Sequence, residues 1–265
     1  MPASRAVLAD VAGRLAAAGC VAAAEEAAEL VSAVPDANTL EAYVGRREQG
    51  EPLAWITGAV RFCGRRVLMT AGMFVPRPQS EELAFRAAAL LAARGPGGRA
   101  ADLCTGSGAV ASHLAAAGGG ATVVGVDREV RAVGCARRNG VRAIVGDVGE
   151  PLRSGVFDVV TAVAPYVPTG AIGVLPSDVQ RYEPRVALDG GPDGLDLVRR
   201  VVDAGARLLR PGGWLLAEIG GDQDRALAPV LERFSFRAVD VWHDEDGDLR
   251  GLAAQATGGT RATPG

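Results

Sequence analysis

Asp102-Leu103-Cys104-Thr105-Gly106-Ser107-Gly108-Ala109-Val110-Ala111 runs from an apolar strand end through a glycine loop into a helix. Gly106 and Gly108 let the backbone bend tightly and approach a ligand with no Cβ in the way. The spacing Gly-x-Gly-x-x-Ala also fits a dinucleotide loop, so alone it leaves the cofactor open. From this loop onward strands and helices alternate, the pattern of a doubly wound, mostly parallel α/β sheet. Strands are expected near residues 99–104, 122–127, 143–146, 156–163 and 213–219. Two more, near 238–243 and 248–255, would pair antiparallel at the sheet edge across an acidic turn.

Towards the N-terminus, residues 5–48 read as helices rich in Ala, Glu and Leu, broken at Pro35-Asp36-Ala37-Asn38. Asn38 is expected to cap the helix that follows at Thr39. The stretch from Arg61 to Met69 reads as a hairpin turning near Gly64, and a helix is expected over 80–94 before Gly95-Pro96-Gly97-Gly98 breaks the chain. Residues 258–265 are expected to be disordered.

The chain has 265 residues, 48% of them hydrophobic, enough for one large α/β domain and a small appendage. No apolar run approaches the roughly 20 residues of a membrane span, and the first residues lack a signal-peptide pattern, so a cytoplasmic protein is expected. Net charge is −3 and all 28 basic residues are arginine, which gives no overall footprint for binding nucleic acid. Cys20, Cys63, Cys104 and Cys135 lie far apart with no Cys-x-x-Cys spacing; reduced thiols and no metal site are expected. His113 and His243 are the only histidines.

Three acids narrow the cofactor. Asp127 ends the second strand of the sheet, where a carboxylate accepts from ribose hydroxyls of either a nicotinamide or a methyl-donor cofactor. Asp102 lies before the loop, placed to receive the ammonium of a bound amino acid, which nicotinamide cofactors lack. Asp147, beside Val148, is placed to accept from an adenine amino group. Taken singly, Asp147 also suits a helix cap and Asp102 a turn; jointly the three favour S-adenosyl-L-methionine.

Phe157-Asp158-Val159-Val160 followed by Ala164-Pro165-Tyr166-Val167-Pro168 resembles the fourth-strand motif of the HemK/PrmC family, the release-factor glutamine methyltransferases. Tyr182-Glu183-Pro184-Arg185-Val186-Ala187-Leu188-Asp189-Gly190-Gly191-Pro192-Asp193-Gly194-Leu195-Asp196 is similar to another stretch of the same family. So are Pro52-Leu53-Ala54-Trp55-Ile56-Thr57-Gly58, Phe74-Val75-Pro76-Arg77-Pro78, Pro211-Gly212-Gly213 and Ala217-Glu218-Ile219-Gly220. The resemblance implies a class I methyltransferase fold, a Rossmann-like seven-stranded sheet, with S-adenosyl-L-methionine as cofactor. It implies a helical substrate-binding domain over 1–58, a β-hairpin linker over 59–79 and a methyltransferase domain over 80–257. It assigns Asp102, Thr105, Gly106 and Gly108 to the methionine portion of the donor, Asp127 to the ribose, and Asp147 with Val148 to the adenine. Phe74 and Pro76 would line the donor pocket, and Val163, Ala164, Pro165 and Tyr166 would hold the acceptor nitrogen.

The chain departs from the family pattern at that last segment. The family has Asn-Pro-Pro-Tyr where Val163-Ala164-Pro165-Tyr166 stands, and usually glutamate at Gln79. An amide nitrogen is a poor nucleophile, and the family's asparagine accepts from it and fixes it in line with the donor. Val163 has no side-chain acceptor; leaving one buried amide hydrogen unpaired costs about 1–3 kcal/mol. Three functions stay open. The chain methylates a planar nitrogen of a small amino-acid-like molecule, a guanidino or amide group such as that of free arginine. It methylates a release-factor glutamine through other contacts. Or it binds the donor without catalysis. A guanidinium keeps its proton to pH above about 12, so it needs a carboxylate to orient it and take that proton; Glu183 and Asp196 are the candidates.

Overall fold

A computed structural model describes residues 5–257. The expectation for 258–265 lies outside the described residues. Three helices, α1 (Arg5–Ala17), α2 (Ala23–Ala33) and α3 (Ala37–Glu48), open the chain, and a single turn, α4 (Leu53–Ile56), follows. They share a small core of Val11, Leu15, Ala27, Leu30, Val44 and Ile56. The cap of α3 is Asp36, not Asn38: its Oδ1 accepts from Thr39 N at 2.9 Å and its Oδ2 from the Thr39 hydroxyl at 2.8 Å. Asp36 has the extended backbone a cap needs, so the helix starts at Ala37 and Asn38 lies inside its first turn.

The hairpin forms from β1 (Ala59–Phe62) and β2 (Arg65–Leu68), turning at Cys63-Gly64. A 3-10 turn (Pro78–Ser80) leads into α5 (Glu81–Ala92). Beyond it come β3 (Arg99–Leu103), α6 (Ala109–Ala117), β4 (Thr122–Asp127), α7 (Val130–Arg138), β5 (Arg142–Val145) and β6 (Phe157–Ala162). A long segment with one short helix, α8 (Ser177–Tyr182), separates β6 from α9 (Asp196–Leu208). The chain closes with β7 (Leu209–Glu218), α10 (Gln223–Arg233), β8 (Phe236–His243) and β9 (Leu249–Ala256).

The seven strands of the large sheet lie in the order β5-β4-β3-β6-β7-β9-β8. Neighbours from β5 to β7 are parallel, and β9 and β8 add antiparallel. Every residue of β6 is buried, as a central strand covered on both faces requires. Side chains alternate between two cores. Ala101, Leu103, Val126, Val160, Ala162 and Leu215 face α9 and α10, whose Val198, Val201, Val202, Leu208, Leu227 and Leu231 recur at helical spacing. Ala100, Val123, Val159 and Leu216 face α5 and α6 on the other side, through Leu83, Ala87, Leu91 and Leu114. This is the class I methyltransferase architecture. It brings the ends of β3, β4, β5, β6 and β7 to one edge, where open parallel sheets bind ligands.

Candidate functional site

The donor side is built by the first three of those strand ends. The loop after β3 leaves the strand at Cys104, whose φ of +55° is a left-handed conformation that costs a non-glycine residue about 1 kcal/mol or more. Gly106 follows at φ +55°, and nothing lies within 4 Å of where its Cβ would be. Its N–H donates to Asp127 Oδ2 at 2.8 Å, and Glu129 N donates to Asp127 Oδ1 at 2.9 Å. The loop and the end of β4 are thus tied together across a pocket lined by Cys104, Gly106, Asp127, Asp147, Val148 and Leu197. A connected pocket on the other side of the loop is lined by Pro76, Ser80, Asp102, Thr105, Ser107 and Val110.

Asp102 is 2% exposed. Its Oδ2 accepts from the Thr105 hydroxyl at 2.6 Å and its Oδ1 from the Thr161 hydroxyl at 2.7 Å. Burial pushes its carboxyl up to about 6, against the pull of those two hydroxyls. Burial also raises Asp127, against the two backbone N–H groups it accepts from. Asp102 and Asp127 line two pockets that share Gly106, with open space over that glycine, an arrangement that fits a ligand carrying an ammonium at one end and ribose hydroxyls at the other. Asp147 stands at the far end of the pocket, its Oδ2 engaged by Arg200 at 2.7 Å, an ion pair the sequence reading lacked. Val148 is 7% exposed and also sits in the left-handed region, at φ +49°. Gly108 caps the loop where it enters α6.

The acceptor side lies where β6 and β7 end. A cavity of about 610 Å³ is walled by Phe74, Arg77 and Gln79 from the hairpin side, by Val163, Ala164 and Tyr166 after β6, and by Leu175, Asp178 and Val179 from the segment around α8. Glu218 at the end of β7 and Arg250 on β9 complete it. Val163 and Phe74 line this cavity and both donor-side pockets, so they form the boundary across which a group would pass. Pro165 faces the donor side. Glu183 is set back from the cavity wall: it is 6% exposed and ion-paired with Arg77, whose guanidinium also lies 5.2 Å over the Phe74 ring. Burial raises the Glu183 carboxyl and Arg77 pulls it down. Asp196 lies outside this cavity, at 3.7 Å from Arg199.

The glycine-rich stretch after α8 supports the acceptor segment from behind. Val167 N donates to Leu188 O at 3.1 Å and Gly190 N to Val167 O at 2.9 Å. Gly194, at φ +77°, packs so closely that a Cβ there would collide with the Tyr166 carbonyl. Gln223 locks the same carbonyl from α10, donating to Tyr166 O at 2.8 Å and Asp193 O at 3.1 Å. Sequence reasoning gave no role to Gln223, Arg77, Asp178, Glu218 or Arg250. Glu218 carried one available signal: a carboxylate at the end of an apolar strand within a recognisable motif.

The Methyltransferase domain family matches residues 101–166. A release factor glutamine methyltransferase of Geobacter sulfurreducens is 39% identical over 202 residues, 73% of this chain and 69% of that protein. Another from Thermodesulfovibrio yellowstonii is 31% identical over 229 residues, covering 83% and 81%. A 4-amino-L-phenylalanine/4-methylamino-L-phenylalanine methyltransferase of Streptomyces pristinaespiralis is 39% identical over 210 residues, covering 76% and 70%. Among solved structures, a 16S rRNA methyltransferase of T. thermophilus in complex with AdoMet and guanosine has a TM-score of 0.51 at 20% identity, covering 78% of this chain and 46% of that one. A methyltransferase from Pyrococcus furiosus has a TM-score of 0.51 at 16% identity, covering 74% and 90%. The solved structures share the fold.

Proposed function

The chain belongs to the HemK/PrmC family of release factor glutamine methyltransferases, and from that premise we propose that it methylates a planar side-chain nitrogen of a small amino-acid-like molecule. It is an S-adenosyl-L-methionine-dependent methyltransferase. The donor supplies an electrophilic methyl group on sulfur. Asp102 would hold the donor's ammonium, Asp127 its ribose and Asp147 its adenine. Phe74 and Val163 would shield the reacting groups from water.

One observation carries the choice of acceptor. The departures from the family pattern at Val163, Ala164 and Gln79 all fall on the wall of the acceptor cavity, while the donor-side acids stand as the family has them. A valine at the boundary offers an apolar surface to a flat stem and no acceptor to an amide N–H. A glutamine amide would leave a hydrogen unpaired there, at about 1–3 kcal/mol. An aryl amine, whose lone pair is more available than an amide's, depends less on an acceptor that fixes it, and its ring would pack on Val163, Val179 and Leu188. A guanidinium suits the valine with its stem but must first surrender a proton. The order of preference is therefore an aryl amine, then a guanidine, then an amide.

Charge around the cavity supports a free amino acid. Arg77 and Arg250 face it beside Asp178 and Glu218. Arg77 is paired with Glu183 and Arg250 with Asp244 and Asp248; replacing the family's glutamate by the neutral Gln79 removes one negative charge from the cavity wall they share, which favours an α-carboxylate there. The similar Streptomyces pristinaespiralis protein is named a methyltransferase of 4-amino-L-phenylalanine, an amino acid with an amine attached to its ring, and its similarity supports this reading. The cytoplasm is the compartment expected for this reaction, and the four cysteines are free thiols.

Mass spectrometry of parallel reactions tests the proposal. Purified protein is given S-adenosyl-L-methionine with 4-amino-L-phenylalanine, free arginine, free glutamine, or a release factor carrying its glutamine loop. The expected outcome is a methyl group on a free amino acid, fastest on the aryl amine. A release factor gaining one methyl group with the free amino acids untouched returns the chain to the reaction its relatives are named for.

A further inference from the structure

We propose that Glu218 accepts the proton shed by the acceptor nitrogen, with Ser80 holding its carboxylate at the edge of the cavity. The inference rests on the chain being an N-methyltransferase and not on which acceptor it uses.

Glu218 is 3% exposed, yet it lines the acceptor cavity. The register of β6 against β7 pairs Ala162 with Ala217, so Val163 and Glu218 leave adjacent strands side by side at the same edge. The Ser80 hydroxyl, on the donor-side pocket, donates to Glu218 Oε2. Tyr166, from the acceptor segment, lines the same cavity wall as Glu218. A buried carboxylate is costly to keep unless it is fully bonded or used. Held by Ser80 from the donor-side pocket and lining the acceptor cavity, Glu218 stands where the two pockets meet.

The chemistry requires such a group. As the nitrogen lone pair forms its bond to the methyl carbon, the carbon–sulfur bond breaks, its electron pair stays on sulfur, and the nitrogen becomes positive. One N–H bond then gives its electrons back to nitrogen, and its proton passes to the Glu218 carboxylate and on to water at the cavity mouth. The other acids near the cavity suit this less. Glu183 is engaged by Arg77 behind the wall, and Asp178 is half-exposed on α8.

Burial pushes the Glu218 carboxyl above the ordinary glutamate range; the hydroxyls of Ser80 and Tyr166 and the charges of Arg250 and Arg77 draw it back. Tyr166, Arg77, Arg250 and Asp178 are the ionisable groups that share the cavity with it. The phenol of Tyr166 is itself raised, mainly by burial, so it remains a donor. An acceptor of protons works only when ionised, so the rate rises with pH through this raised value.

Glu218→Gln and Glu218→Asp test the role, assayed on 4-amino-L-phenylalanine and on a release factor. The glutamine variant should lose about a hundred-fold or more in kcat, keep its affinity for S-adenosyl-L-homocysteine, and lose the acidic limb of the pH profile. The aspartate variant should keep the limb and part of the rate. Infrared difference spectra of the parent against Glu218→Gln, both with S-adenosyl-L-homocysteine bound, should show a carboxyl C=O band that vanishes as pH rises along that limb. A glutamine variant with the parent's kcat and pH profile overturns the assignment. If neither probe is methylated, the proposed function fails and the infrared spectrum alone decides. A band that titrates away between the ordinary glutamate range and neutrality supports Glu218. One that persists above about pH 9, the upper range for buried glutamates, or that is absent at every pH, overturns it.

Discussion

In the proposed function Asp102 serves the donor side and Val163 the acceptor side, and each makes a separate prediction. Asp102 must be ionised to hold the donor's ammonium, and burial has pushed its carboxyl up to about 6. A raised carboxyl holds its proton longer in the folded protein, so the competent, ionised form is lost below that value and gained above it. Affinity for S-adenosyl-L-homocysteine should therefore climb with pH, by nearly tenfold per unit well below 6, and level off above it. Asp102→Asn should bind more weakly with a shallower slope, the remainder coming from Asp127; calorimetry across pH reads both, and an unchanged slope removes Asp102 from the ammonium site. Val163→Asn restores the acceptor the family uses. It should raise the rate on a release-factor glutamine roughly ten- to hundred-fold, the equivalent of about 1.4–2.8 kcal/mol in the transition state. The same variant should slow methylation of an aryl amine, because the new amide must be desolvated without a matched partner. A folded, donor-binding variant with the parent's rates on both substrates would mean that Val163 does not touch the acceptor. The placement of Asp102, Asp127 and Asp147 was legible in the residues, since they lie at or next to strand ends that hydrophobic alternation reveals. Arg200 on Asp147 was not, since the pair is 53 positions apart in the chain.

At the level of elements, the segment between β6 and α9 governs the acceptor cavity. Its helix α8 is fastened to the N-terminal helices: the Tyr182 hydroxyl donates to Gln49 O at 2.9 Å, and the Tyr182 ring meets Trp55 edge-on at 6.2 Å. Trp55 in turn donates to Met73 O at 3.0 Å, just before Phe74. One chain of contacts thus runs from the helical part to both walls of the cavity. Tyr182→Phe deletes the hydrogen bond and keeps the ring, a loss of about 0.5–1.5 kcal/mol. The acceptor KM should rise by up to about tenfold while the affinity for S-adenosyl-L-homocysteine stays put; an equal change in both, measured by steady-state kinetics and calorimetry, would detach α8 from acceptor binding. This segment was opaque in the sequence. Short 3-10 turns and a helix of six residues give no periodicity to read, whereas the sheet strands emerged within a few residues of their observed ends. The one local signal misread, the cap of α3, came from two cap-forming residues two positions apart, Asp36 and Asn38, of which only the first has an extended backbone.

For the whole molecule, the donor should act as a stabiliser of the fold. A ligand at a hundred times its dissociation constant adds about 2.7 kcal/mol, and S-adenosyl-L-homocysteine should raise Tm by roughly 5–10 °C in a chain of this size. Asp127→Ala, which removes the carboxylate proposed to accept from the ribose, should weaken binding by about 1.5–3 kcal/mol and remove most of that shift at the same ligand concentration. Scanning calorimetry showing a larger shift with a nicotinamide dinucleotide would overturn the cofactor. The order β5-β4-β3-β6-β7-β9-β8 was foreseeable in kind because strand and helix alternate. The way the stretch from Asp189 to Asp196 folds back against the acceptor segment was not, because that contact is made largely by backbone groups, with the Gln223 and Thr169 side chains joining in from elsewhere in the chain. Its consequence is for engineering. Gly194 presses on the Tyr166 carbonyl, and Val167 exchanges hydrogen bonds with Leu188 and Gly190. Specificity therefore cannot be transplanted between relatives by exchanging the four residues from Val163 to Tyr166 alone. The portable cassette is discontinuous, strand end and glycine buttress together, and a chimera that carries one half without the other will misplace the acceptor even with every side chain correct.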